Sequence, residues 1–200
     1  MKNENALIII AKNPQNGSVK TRLKGSITDK KILELYTSLL EDTIQKCKVI
    51  PGVDTIIAYA PDSAEEYFSR YGINLIPLST CDLGLNMYHA FKEVFNRGYK
   101  KAALAGADIP DLTIPIILEA FDTLSEKDLV YGPAKDGGYY LVGMRKLIKE
   151  VFKKVPWSSD QTLKRSIEQA HHFGYSIGFI ETLSDIDTIE DVINMGFFTK

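Results

Sequence analysis

Three cations, Lys12, Lys20 and Arg22, lie in the segment 12–23 with Gly17 between them and no acidic residue. Lys and Arg supply point-like and forked donors to phosphate oxygens, so the segment can wrap a phosphate chain. It can equally be a solvated basic loop. It holds neither a Gly-rich dinucleotide fingerprint nor the Gly-Lys-Ser/Thr of a P-loop, which disfavours both of those classes. In the segment 105–112 an apolar run stops at Gly106 and delivers Asp108. A hard cation such as Mg²⁺ takes one or two carboxylates together with phosphate oxygens and waters, and Asp108 suits that role. Asp111, ahead of Leu-Thr-Ile-Pro, reads as the cap of a helix.

Two further segments carry polar groups. Lys135 and Asp136 precede Gly137 and Gly138. Asp-Gly-Gly signals a hairpin turn, and the same glycines would let backbone approach an acceptor molecule closely. In 184–192, Asp187 or Thr188 followed by Glu190 and Asp191 reads as a helix start. His89 lies within a helical period and His171-His172 at a polar helix end; none of the three sits in a pattern that suggests a metal or a catalytic triad.

The elements that must position these groups alternate in type. Residues 6–11, 53–60, 73–78, 101–106, 128–131, 139–144 and 176–180 read as strands. Residues 30–48, 63–71, 83–97, 114–124, 160–173 and 188–195 read as helices, with Pro115 opening one of them. In 30–48, Ile32, Leu35, Tyr36, Leu39, Leu40 and Thr43 recur at three- and four-residue steps and define one buried face. The pattern predicts an α/β protein: a three-layer α/β/α Rossmann-like sandwich with a mostly parallel mixed sheet, and one domain over 1–200. In such a sheet ligands bind beyond the carboxyl ends of the strands, where all four segments fall.

Composition bounds the function. The 200 residues carry 24 Lys+Arg against 26 Asp+Glu, a net charge of −2 with no long basic run, which disfavours a general nucleic-acid binder. No apolar run approaches the roughly 18 residues of a membrane span, and the N-terminal residues lack a leader pattern, so a cytoplasmic location is expected. Cys47 and Cys81 are too few for a disulfide framework or a thiolate metal site, and both are expected to be reduced.

Taken together, Lys12-x-Pro14, Gly17-x-Val19-Lys20-Thr21-Arg22-Leu23, Gly106-x-Asp108-x-Pro110-x-Leu112 and Gly132-Pro133-x-x-Asp136-Gly137-Gly138-Tyr139 resemble the nucleotide-diphospho-sugar transferase superfamily, the GT-A fold. The nearest resemblance is to glycosyltransferase-like proteins related to 2-phospho-L-lactate guanylyltransferase and the molybdenum-cofactor nucleotidyltransferases. It implies that Lys12, Gly17, Lys20, Arg22, Gly84 and Asp108 bind the nucleotide, that Asp108 and Asp187 hold Mg²⁺ or Mn²⁺, and that Lys135, Asp136, Gly137, Gly138 and Trp157 face a small-molecule acceptor. Asn86 stands where relatives carry a basic residue.

The activity so implied is transfer, with a nucleoside triphosphate or a nucleotide-sugar as donor. Lys12, Lys20 and Arg22 against Asp108 and Asp187, with one Mg²⁺, total about +3, a closer complement to the roughly −4 of a triphosphate than to the roughly −2 of a nucleotide-sugar. The expectation is therefore nucleotidyl transfer with pyrophosphate release, Lys20 and Arg22 stabilising charge. Glycosyl transfer, with Asp136 as general base, is the alternative. A nucleotide-binding protein without turnover is the third reading.

Overall fold

The computed structural model describes residues 3–80 and 82–197. Seven strands form one sheet: β1 (Asn5–Lys12), β2 (Val53–Ala60), β3 (Asn74–Pro77), β4 (Lys101–Gly106), β5 (Leu129–Pro133), β6 (Tyr139–Met144) and β7 (Ile177–Phe179). Their order is β3-β2-β1-β4-β6-β5-β7. β1 runs parallel to β2 and β4, β2 to β3, and β5 to β7, whereas β6 is antiparallel to both β4 and β5. The expected mixed, mostly parallel sheet is present, and 129–144 forms the hairpin that its Asp-Gly-Gly turn signals.

Six α-helices cover the sheet: α1 (Asp29–Cys47), α2 (Glu65–Ser69), α3 (Leu83–Asn96), α4 (Ile114–Glu126), α5 (Thr162–His172) and α6 (Ile189–Asn194). Successive residues of a strand face opposite ways, and β1 shows the consequence. Leu7 and Ile9 pack with α1, α4 and Phe68 of α2 on one face, while Ala6 and Ile8 pack with Met87, Ala90 and Phe91 of α3 on the other. A strand buried on both faces must be apolar throughout, which is why Ala-Leu-Ile-Ile-Ile-Ala shows no alternation.

Some elements depart from the sequence expectation. The span 63–71 divides into a 3₁₀ turn, Asp62–Ala64, and the short α2. A further 3₁₀ turn occupies Glu150–Phe152. Asp111 caps nothing: Thr113 is the residue ahead of α4, no side chain bonds the first turn, and a proline there already removes one orphan donor. Cys47 is buried on α1, and burial raises its thiol pKa to about 12, which keeps it protonated. Cys81 lies outside the described residues.

Asp128 ties the hairpin to the sheet edge. Its carboxylate accepts hydrogen bonds from the Ser176 amide (3.0 Å) and hydroxyl (2.8 Å) and from Arg145 Nε (3.1 Å) and Nη2 (2.9 Å). These bonds, led by the Ser176 amide, outweigh burial and lower its pKa to about 2. A carboxyl depressed from its ordinary 3.8 contributes stability above that value and loses it as pH falls towards 2. Asp128→Asn is expected to lower unfolding free energy by roughly 2 kcal/mol at pH 7. In urea titrations from pH 7 to 2, its difference from wild type should shrink below about pH 4.

Candidate active site

The strand order reverses direction of travel between β1 and β4, the switch point at which an open α/β sheet leaves a crevice. A cleft of about 450 Å³ opens there, within the range of small-molecule sites. β1 ends in Lys12, whose amide donates to the Tyr36 hydroxyl (2.9 Å) while that hydroxyl donates back to the Lys12 carbonyl (3.1 Å). Helix α1 also fixes the loop after β4: Thr43 Oγ1 donates to the Ala107 carbonyl (3.2 Å) and Lys46 Nζ to that of Pro110 (3.1 Å). At Gly106 an added Cβ would lie 2.9 Å from Asp108 Oδ1, so glycine lets that carboxylate fold back over the strand end.

The basic loop reaches across to it. Val19 and Leu23 are buried and anchor the loop, and between them Lys20 adopts the left-handed conformation, φ 45° and ψ 45°. For a residue with a Cβ this costs about 1–2 kcal/mol. Its side chain is 5% exposed, and Nζ lies 2.5 Å from Asp108 Oδ2 and 2.9 Å from Asp187 Oδ1. Burial works against the ammonium, but the charges of Asp108 and Asp187 and their hydrogen bonds outweigh it and raise the Lys20 pKa. Arg22 pairs with Asp187 Oδ2 and stays largely exposed. Asp187 is free for this because the capping falls to its neighbours: the Thr188 hydroxyl accepts from the Asp191 amide, and the Asp191 carboxylate accepts from the amides of Thr188 and Asp187.

The two proposed metal ligands therefore converge on one point and already share a cation. Among the described residues no group of three or more His, Cys, Asp or Glu could hold a metal as a protein-only cage. Two hard oxygen donors facing one cationic centre fit Mg²⁺ or Mn²⁺ shared with phosphate oxygens. Lys20 and Arg22, expected to hold phosphates, are engaged by the carboxylates.

Asp185 escapes the sequence expectation. It lines the same cleft, and burial first, then the charge of Asp187, raises its pKa to about 6. Its spacing from Asp187 is the one sequence signal pointing to it. With Asp136 also on the wall, four carboxylates face Lys12, Lys20 and Arg22, so one divalent ion brings the cleft to about +1 rather than +3.

The remaining candidates fall into different places. Asp136 and Gly138 line the cleft, and Asp136 Oδ1 accepts from the Gly138 amide (2.8 Å), closing the turn. Gly137 lies behind it: at φ +89° its added Cβ would come within 2.3 Å of the Asp160 carbonyl oxygen, and its own carbonyl accepts from Leu163 N. Lys135 lines a second cleft with Asp111, Glu119 and Glu181. Gly17, at φ +76°, forms the turn ahead of Lys20 and is not on the cleft wall. Asn86 lines the cleft, and its amide is spent on Thr80, accepting from its hydroxyl (2.8 Å) and donating to its carbonyl (2.9 Å).

Trp157 joins the two sides. It stands edge-on to Tyr139, with centroids 6.4 Å apart, and packs against the first turn of α3. A Cβ on Gly84 would lie 2.6 Å from Trp157 Nε1, so Gly84 is required by the indole. Gly84→Ala is expected to displace the only tryptophan of the chain. Its fluorescence, excited selectively, should shift to longer wavelength and lose its response to cleft ligands. An unchanged spectrum would show that the indole does not depend on this contact.

Three solved structures show the same architecture. A provisionally assigned nucleotide-diphospho-sugar transferase from Desulfovibrio desulfuricans G20 is 29% identical, with 100% of this chain and 89% of that one covered and a TM-score of 0.90. A CMP:2-keto-3-deoxy-manno-octonic acid synthetase complexed with CTP is 11% identical, over 98% of each chain, with a TM-score of 0.62. Rv0371c from Mycobacterium tuberculosis H37Rv, in complex with manganese, is 12% identical over 96% of this chain and 97% of that one, with a TM-score of 0.60. No curated protein matches the sequence. The nucleotide-diphospho-sugar transferase fold expected from the motifs is thus the fold of this chain, and the 29%-identical neighbour bears the name of a transferase, as expected. Residues 43–159, more than half of the chain, match one family throughout, and the protein belongs to it: the family described as "Uncharacterized protein conserved in bacteria (DUF2064)".

Proposed function

We propose that the protein is a metal-dependent transferase acting on a nucleotide substrate, and that its reaction is nucleotidyl transfer from a nucleoside triphosphate to a phosphorylated or acidic small acceptor. The observation that carries this reading is the convergence of Lys20, Asp108 and Asp187 at the switch point of the sheet, with Arg22 beside them. The CTP held by the synthetase and the manganese held by Rv0371c are ligands of the proposed classes.

Asp108 and Asp187 would hold Mg²⁺ or Mn²⁺, which when bound supplies Lewis-acid neutralisation of phosphate charge. Four carboxylates would otherwise repel a polyphosphate from this cleft. Lys12 borders the strand end, and Lys20 and Arg22 donate to phosphate oxygens once their carboxylate partners are otherwise engaged. An acceptor oxygen attacks the α-phosphorus in line, the bond from that phosphorus to the bridging oxygen of the β-phosphate breaks, and pyrophosphate leaves with the electron pair. An acceptor that is already an anion has no proton to lose, so positioning and electrostatics suffice. Asp136, Gly138 and Trp157 form the wall that this acceptor would meet.

One observation favours a second reading. The modest cleft charge with a single metal suits the roughly −2 of a nucleotide-sugar, and Asp136 then serves as base for an acceptor hydroxyl.

Thermal melting with each triphosphate and each common nucleotide-sugar, with and without Mg²⁺, separates the two. Ligand at 100 times its Kd contributes about 2.7 kcal/mol. A Mg²⁺-dependent shift with one triphosphate supports nucleotidyl transfer; a shift confined to nucleotide-sugars overturns it in favour of glycosyl transfer. Stabilisation without product from any acceptor would point to a binding protein. Asp108→Asn is expected to reduce metal-dependent turnover about 100-fold or more, the scale for losing one transition-state contact; unchanged turnover would remove Asp108 from the metal site.

A further inference from the structure

We infer that the Lys20 ammonium is a tethered cation that occupies the divalent-metal position until a phosphate draws it away, so that metal and nucleotide enter this cleft together. The inference rests on the reading of Asp108 and Asp187 as metal ligands and adds the order in which the site fills. Nζ lies within 2.5 and 2.9 Å of one oxygen of each carboxylate. That places one positive charge where a hard cation shared by the two residues would stand. A divalent ion and an ammonium at the same point repel each other, and both would draw on the same two oxygens.

The tether is built into the chain. The Lys20 side chain is almost wholly buried, its backbone is left-handed, and Val19 and Leu23 hold the loop on either side. A residue held in a sparsely populated conformation persists only where its surroundings impose it, and buried Val19 and Leu23 flank Lys20 here. Arg22 is more than half exposed and pairs with Asp187, so among the described residues the ion pair to Asp108 comes from Lys20. For the metal to bind, the ammonium must find another anion, and a phosphate oxygen at the mouth of the basic loop would provide one. Each ligand then raises the affinity for the other by the same factor.

The experiment is Mn²⁺ titration of the full chain without nucleotide, followed by electron paramagnetic resonance, on wild type and on Lys20→Met, Lys20→Gln and Lys20→Arg. The neutral variants are expected to bind Mn²⁺ at least tenfold more tightly than wild type, and Lys20→Arg, which keeps the charge, to bind no more tightly. Lys20→Met with Asp108→Asn should lose the gain. In chelator the neutral variants should melt below wild type, and Mn²⁺ should raise their Tm more than that of wild type. Equal Mn²⁺ affinity in wild type and both neutral variants, or an equal gain in Lys20→Arg, overturns the inference. A parallel titration with each triphosphate tests the underlying reading separately. If wild type binds Mn²⁺ with a triphosphate while the neutral variants show no gain alone, the tether fails and the nucleotide reading stands. If the neutral variants gain Mn²⁺ but no triphosphate binds any of them or wild type, the tether stands and the nucleotide reading fails.

Discussion

The ion cluster of Lys20, Asp108 and Asp187 joins three loops that are far apart in sequence, Lys20 and Asp187 being 167 positions apart. A buried ammonium is stable only if charges and hydrogen bonds replace its water, and removing one partner leaves an uncompensated charge. The loops therefore cannot relax independently. The cost of burying Lys20 and of its left-handed backbone is met by two carboxylates whose own positions depend on other elements. Helix α1 fixes the loop of Asp108 through Thr43 and Lys46, and the Thr188–Asp191 capping box fixes the backbone of Asp187. The candidate cleft is in this sense a balance of charge supported by backbone hydrogen bonds.

The same cleft, proposed above for a polyphosphate, is lined by several carboxylates. With Asp136 and Asp185 added, the acids outnumber the cations, and the cleft becomes attractive to a polyphosphate only with divalent ions present. Burial, and after it the neighbouring Asp187 charge, push Asp185 towards neutrality by more than the Lys20 ammonium returns.

Three glycines permit close packing around the cleft. Gly84 makes room for the Trp157 indole, Gly137 for the backbone at Asp160, and Gly132 for the Tyr140 ring, whose carbons would lie as close as 2.4 Å to an added Cβ. The hydroxyl of Tyr140 in turn donates to the Glu181 carbonyl (2.8 Å), joining the hairpin to the segment that leads to Asp185 and Asp187. The two sides of the cleft are thus coupled through close backbone approaches, and Trp157 belongs to both.

Most of the fold was legible in the sequence because its causes are local. Strands buried on both faces are continuously apolar, and a helix over a sheet carries one apolar stripe, so β2 and β4 fall at the expected residues and α1 within one residue at each end. The motifs likewise placed Lys20, Arg22, Asp108, Asp136 and Asp187 at strand ends, where the sheet gathers them into one cleft. What the sequence left open depends on neighbours remote along the chain. The antiparallel insertion of β6 between β4 and β5 is a matter of pairing, Gly137 stands off the cleft wall against the Asp160 backbone while its neighbours line the cleft, and Lys135 faces a separate groove. A charge in a loop reveals its type but not its partner, and only the tertiary structure decided that Lys20 would stand between two carboxylates, since that contact exists only once three loops have been brought to one edge of the sheet.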